Sequence, residues 1–168
     1  MTLRGERVTL RPVVGDDVDR LTEILREPEV ARWWGRWDAD RVRRELLEDD
    51  ETVVFVIEAK GETIGLIQYY EEADPDYRHA GIDVTLATGR HDRGYGTEAV
   101  RVLARYLFEE RGHHRLTIDP SATNARAIRA YEKVGFRPVG TMRQYERAPD
   151  GTWRDGLLMD LLAEEFRA

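Results

Sequence analysis

The sequence contains no cysteine. Disulfides, thiolate metal ligands and a cysteine nucleophile are therefore excluded from its chemistry. Lysine is nearly absent as well: Lys60 and Lys133 are the only two, so arginine carries almost all of the positive charge. No apolar run approaches the roughly 18–20 residues that span a bilayer. The opening stretch, Met1-Thr-Leu-Arg-Gly-Glu-Arg7, lacks the apolar centre of a secretory signal. Internal repeats, low-complexity tracts and Gly/Ser-rich linkers are missing too. A single domain over residues 1–168, in the cytoplasm and without a membrane partner, is the expectation.

Positive charge is also in deficit. Thirty-three acidic residues against 26 basic ones leave a net charge of -7. Binding to a phosphate backbone needs the opposite balance, so no nucleic-acid partner is expected. An acidic field suits a cationic partner or substrate; it is equally a solubility setting.

What is present reads as alternating strands and helices. Residues 7–12 alternate apolar and polar side chains and predict a strand. Gly15-Asp16-Asp17 then offers a cap for a helix carrying Val18, Leu21, Ile24 and Leu25, which is expected to stop near Pro28. A second short helix is predicted from about Asp40 to Leu47. Residues 52–58 and 63–70 form a hairpin around Lys60-Gly61-Glu62. An acidic loop (Glu71, Glu72, Asp74, Asp76) leads to a strand over 81–86, a glycine-bearing loop over 90–96, and a helix with Ala99, Val100, Leu103 and Leu107 on one face. A strand over 115–119 follows, then a helix capped by Ser121 or Thr123. Two apolar segments, separated by Pro149-Asp150-Gly151, close the chain. The fold class is α/β (α+β), a mixed and mostly antiparallel sheet flanked by about four helices.

Four features carry chemistry. Gly94-Tyr95-Gly96 lies between a strand and a helix, where unpaired amides and the positive end of the helix dipole bind phosphate, with Arg90 and Arg93 adding charge. It is neither a Walker loop nor a dinucleotide fingerprint. Asp83 shares a strand face with Thr85, opposite Ile82, Val84 and Leu86. In apolar surroundings its pKa would rise toward neutrality, which suits a general base; a solvated face or a structural ion pair is the alternative. Asp119, before Pro120, reads either as a second such acid or as a turn aspartate. Asn124 and Tyr131, seven residues apart, project from one helix face, and Tyr131 reads as a proton donor or as core. Trp33-Trp34-Gly35-Arg36-Trp37 is an aromatic cluster in a predicted loop, either a binding wall or a satellite core. His113 and His114 carry no signal, and no pair stands at metal-ligand spacing, so no metal is expected.

Together these segments resemble the Gcn5-related N-acetyltransferase superfamily over essentially the whole chain. In that family a Gln/Arg-x-x-Gly-x-Gly/Ala loop cradles the pyrophosphate of acetyl-CoA. Here it reads His91-Asp-Arg-Gly94-Tyr-Gly96, with His91 departing at the first position. The resemblance implies acetyl-CoA as cofactor, contacted by Val84, Thr85, His91, Arg93, Gly94, Tyr95, Gly96, Thr97, Asn124 and Ala127. Residues 30–35, Gly81-Ile-Asp83 and residues 119–136 are similar to aminoglycoside 6'-N-acetyltransferases. That likeness implies Asp83 beside the reacting amine, Asp119 on an ammonium group, Trp33, Trp34 and Tyr70 around the sugar, and Tyr131 as general acid to the thiolate. The expected reaction is direct transfer to an aminoglycoside 6'-amine by a monomer or homodimer. Residues 10–12 with Asp16-Asp17 are equally similar to acetyltransferases of ribosomal-protein N-termini. A non-catalytic acyl-CoA-binding module is the alternative from another class.

Overall fold

In a computed structural model describing residues Met1–Ala168, the apolar alternation resolves into one eight-stranded sheet. Its strands are β1 (Leu3–Arg4), β2 (Thr9–Pro12), β3 (Val53–Ala59), β4 (Glu62–Glu72), β5 (His79–Leu86), β6 (Arg115–Ile118), β7 (Arg137–Arg147) and β8 (Trp153–Leu162). Their spatial order is β1-β2-β3-β4-β5-β6-β8-β7. Every neighbouring pair is antiparallel except β5–β6. The helices are α1 (Val18–Leu25), α2 (Pro28–Trp34), α3 (Ala39–Val42, continued by a π turn over Arg43–Leu47), α4 (Tyr95–Glu109) and α5 (Ala125–Val134). This is the mixed, mostly antiparallel α/β architecture expected.

The helix count is five rather than about four, and α2 is the difference. α1 stops at Leu25, close to Pro28 as expected, but Pro28 also begins a further helix. Proline's fixed φ suits the first helical turn, and its missing N–H would have no partner there anyway. Trp33 and Trp34 therefore close a helix instead of lying in a loop, and Gly35 ends it at φ +84°. The cap of α5 also differs. Asn124, not Ser121 or Thr123, accepts the Ala127 amide, and Gly135 stops the helix at φ +118°. The β3–β4 hairpin turns on Lys60-Gly61, both with positive φ, as a two-residue type I′ turn requires.

The core lies on both sides of the sheet. Val54, Val56 and Leu66 pack under α1–α3, while Phe55, Ile57, Ile67 and Ile82 pack against Ala99, Val100, Leu103 and Leu107 of α4. Strand β3 is apolar on both faces because both are covered. The site is made by a failure of pairing. β5 bonds along its whole length to β4, but to β6 only at Ala80↔Leu116 and Gly81↔Thr117. β6 instead follows β8. Beyond Gly81 the sheet splits, with α4 starting on one side of the gap and α5 on the other.

Candidate active site

One half of the gap is built for an anion. Gly94 caps α4 at φ +82°, and the first helical bond runs from the Glu98 amide to the Gly94 carbonyl at 3.0 Å. The amides of Gly94, Tyr95, Gly96 and Thr97 consequently donate to no carbonyl, the ordinary condition of a helix N-terminus. Arg7 braces the loop from behind. Its Nη1 donates to the Arg93 carbonyl at 2.8 Å, its guanidinium lies 4.8 Å from the centre of the Tyr95 ring, and its Nε meets Glu98 at 3.0 Å. Arg126, Arg129 and Lys133, spaced three and four apart on α5, line the same groove of about 260 Å³ together with Arg90. Glu29 and Asp92 are the only acids there. Such a local excess of cations in a chain of net charge -7 points to an anionic ligand.

His91 serves this half through its ring. Arginine can only donate, so Nδ1 must accept from Arg126 and Nε2–H must donate to the Leu86 carbonyl, at 2.9 Å. Arg93 offers only its carbonyl; its exposed side chain lines neither cavity.

The other half is acidic. An adjoining cavity of about 230 Å³ is lined by three carboxylates, Asp83, Asp119 and Glu146, and by no basic side chain. Trp33, Trp34, Val84, Asn124, Ala127 and Tyr131 line both halves and form their junction. Of the three, only Glu146 has an ion-pair partner, Arg154; Asp83 and Asp119 have none. Burial, with the charge of Asp119 added, pushes the Asp83 carboxyl up to about 6, against a weak bond from Gln68 Nε2 at 3.5 Å. Burial also raises Asp119, opposed by the Tyr145 hydroxyl, which donates to Oδ2 at 2.8 Å. Tyr131 is buried, and its pKa is raised by burial and then by the two aspartates. It stays protonated and faces the junction as a donor.

The strand edge supplies one more donor. Ala87 N–H bonds to the Ile64 carbonyl at 2.8 Å, so by antiparallel alternation Asp83 and Thr85 also aim their amides at β4. Val84 and Leu86 aim theirs into the gap, and the Leu86 carbonyl beside them is taken by His91. The Val84 amide is thus free, while that of Thr85 is directed at β4. Thr85 contributes its side chain to the groove wall. Asn124 has committed its carbonyl oxygen to the cap at 3.3 Å, leaving its NH₂ available. Tyr70 lines neither cavity. Its half-exposed ring covers Gly81, where a Cβ would come within 2.2 Å of it, and meets His79 edge-on.

Sequence reasoning missed Gln68, Tyr145, Glu146 and the α5 cations. The last were signalled by their 126/129/133 spacing. His113, read as featureless, is buried with Nε2 at 2.7 Å from Glu71, tying the turn after α4 to β4.

A family model described as an acetyltransferase (GNAT) domain matches residues 7–137. Aminoglycoside N(6')-acetyltransferase type 1 of Klebsiella pneumoniae is 33% identical over 171 residues, covering 90% of this chain and 82% of that protein. The solved structure of AAC(6')-Ib in complex with Parmomycin and AcetylCoA superposes with a TM-score of 0.79 at 31% identity, over 95% and 96% of the two chains. Ribosomal-protein-S5-alanine acetyltransferase from Vibrio fischeri superposes over all of both chains with a TM-score of 0.84 at 16% identity, a likeness of fold.

Proposed function

The chain belongs to the GNAT acetyltransferase family, whose members use acetyl-CoA, and from that premise we propose that it acetylates the 6'-amine of an aminoglycoside. The observation that carries this reading is the electrostatic division of one continuous cleft. A cation-lined half meets a carboxylate-lined half at Val84 and Tyr131. An anionic cofactor and a polycationic acceptor need opposite surroundings, and this cleft offers both at adjoining positions. The residues present fit the cofactor: four orphan amides at the start of α4, the α5 cations and Arg90 suit its phosphates.

Bound acetyl-CoA supplies the acetyl thioester. The chain's own groups do the rest. An ammonium has no lone pair, so Asp83, titrating near 6 and ionised at neutral pH, takes its proton. Asp119 holds a neighbouring ammonium and so fixes the acceptor's orientation. The Val84 amide is positioned to donate where negative charge develops on oxygen. Tyr131 holds a proton at the junction and delivers it to the departing sulfur. No side chain in the cleft is an evident covalent nucleophile, so transfer is direct.

The test is thiol release from acetyl-CoA with kanamycin, compared with a matched aminoglycoside that carries a 6'-hydroxyl. Release with the first and little with the second is expected. Equal release moves the reacting amine elsewhere on the sugar. No release with either, alongside acetylation of a ribosomal-protein N-terminal peptide, overturns the proposal.

A further inference from the structure

Beside the acceptor cavity stands an ion pair that the proposed reaction does not use. Strand β7 breaks register between Met142 and Glu146, with Gln144 at φ +47° and its amide bonded to Asp155 Oδ1 at 2.8 Å. This bulge sends the Tyr145 hydroxyl to Asp119 and brings Glu146 into the cavity wall. Arg154, directly opposite on β8, donates Nε to Glu146 at 2.7 Å and a second bond from Nη2. Its remaining donors reach the carbonyls of Arg32 at 2.7 Å and Trp33 at 2.9 Å, in the last turn of α2. The side chain is 17% exposed, and the guanidinium lies 5.4 Å from the centre of the Trp33 ring.

Charge counting gives this pair a meaning. The cavity has three carboxylates; one carries an internal cation and two carry none. We propose that Arg154 determines acceptor specificity by permanently occupying Glu146, leaving a site matched to an acceptor with one ammonium for Asp83 and one more for Asp119. This inference rests on the amine-acceptor reading of the cavity. A third ammonium gains no ion pair there, because displacing Arg154 would strand a guanidinium that is mostly buried against the carbonyls of α2. The planar, multiply bonded guanidinium is also held in place more firmly than a mobile ammonium competitor.

The test is calorimetric binding of two probes, 1,4-diaminobutane and spermidine, to the CoA-saturated protein, with no turnover needed. The unsubstituted protein is expected to bind the two probes within about twofold of each other. Arg154→Met frees Glu146 and should tighten spermidine over diaminobutane by about fivefold, the ceiling for a partly exposed pair. Adding Glu146→Gln should abolish that gain, and Arg154→Lys should restore the original ratio. Glu146→Gln alone leaves a guanidinium uncompensated and should weaken both probes several-fold, a readout that holds if Arg154→Met fails to fold. Equal weakening of both probes by Arg154→Met, unchanged by the second substitution, would make Arg154 a prop for Trp33 and overturn the proposal. So would a tenfold preference of the unsubstituted protein for spermidine, or no binding of either probe. The kanamycin assay reports separately on the acceptor reading, so the two failures are distinguishable.

Discussion

Replacing Asp83 with Asn removes a charge while keeping the side chain's shape, and the cost of holding that charge can be worked from the site. The carboxyl moves from 3.8 to about 6 on folding, chiefly because burial disfavours its ionised form. At 1.36 kcal/mol per unit, an ionised Asp83 destabilises the folded protein by roughly 3 kcal/mol at pH 7.5. The sign follows from linkage: between 3.8 and 6 the folded state binds more protons, so stability falls as pH rises through that window. Asp83→Asn should therefore stabilise the protein at pH 7.5 by up to about 3 kcal/mol, shrinking to about half of that at pH 5. Urea unfolding of both proteins at the two pH values measures the difference. In the same variant kcat/KM should fall by about a hundredfold or more, and the unsubstituted enzyme should show a rising limb in kcat/KM with a midpoint near 6. A stabilisation independent of pH, or a loss of stability at pH 7.5, would refute the account of Asp83 as a desolvated base.

If the Tyr131 hydroxyl protonates the departing sulfur as proposed, Tyr131→Phe should lower kcat by about a hundredfold with acetyl-CoA affinity nearly unchanged; equal loss in binding would make it a packing residue. Arg126→Ala should raise KM for acetyl-CoA several-fold and leave KM for the acceptor unchanged, with the defect shrinking as salt screens the remaining cations. Gly81→Ala should destabilise the protein by about 1–3 kcal/mol in thermal or urea unfolding, since its Cβ would overlap the Tyr70 ring, and Tyr70→Ala should relieve that loss.

Much of the fold was legible because its signals are local. The β-rich runs over 52–58 and 63–70, the turn at Lys60-Gly61 and the apolar stripe of α4 each rest on residues close together in the chain. α2 was not legible because a proline near the end of one helix can also begin the next, and only the chain's path shows that it does. In the site, the glycine loop, Asp83, Asp119 and Tyr131 were legible as residue types at strand and helix ends. Gln68 was not, since its position opposite Asp83 depends on the register across the loop between β4 and β5. Glu146 was hidden more deeply: the β7 bulge changes which side chains face the cavity, and no period in the sequence records a bulge.

The net charge was legible in amount but not in arrangement, and arrangement is what the function needs. Summed over the chain, -7 suits a cationic substrate and argues against an anionic ligand, yet a CoA cofactor is strongly anionic. The split sheet resolves the conflict. Cations spaced at 126, 129 and 133 come from one helix face and reach the gap on the α4 side. The three carboxylates come from β5, the end of β6 and β7, and converge only where β5 and β6 part. A cleft of either sign alone would hold one substrate and repel the other. Placing the change of sign at Val84 and Tyr131 lets both approach, and it puts the proposed base, oxygen-facing amide and proton donor where they meet.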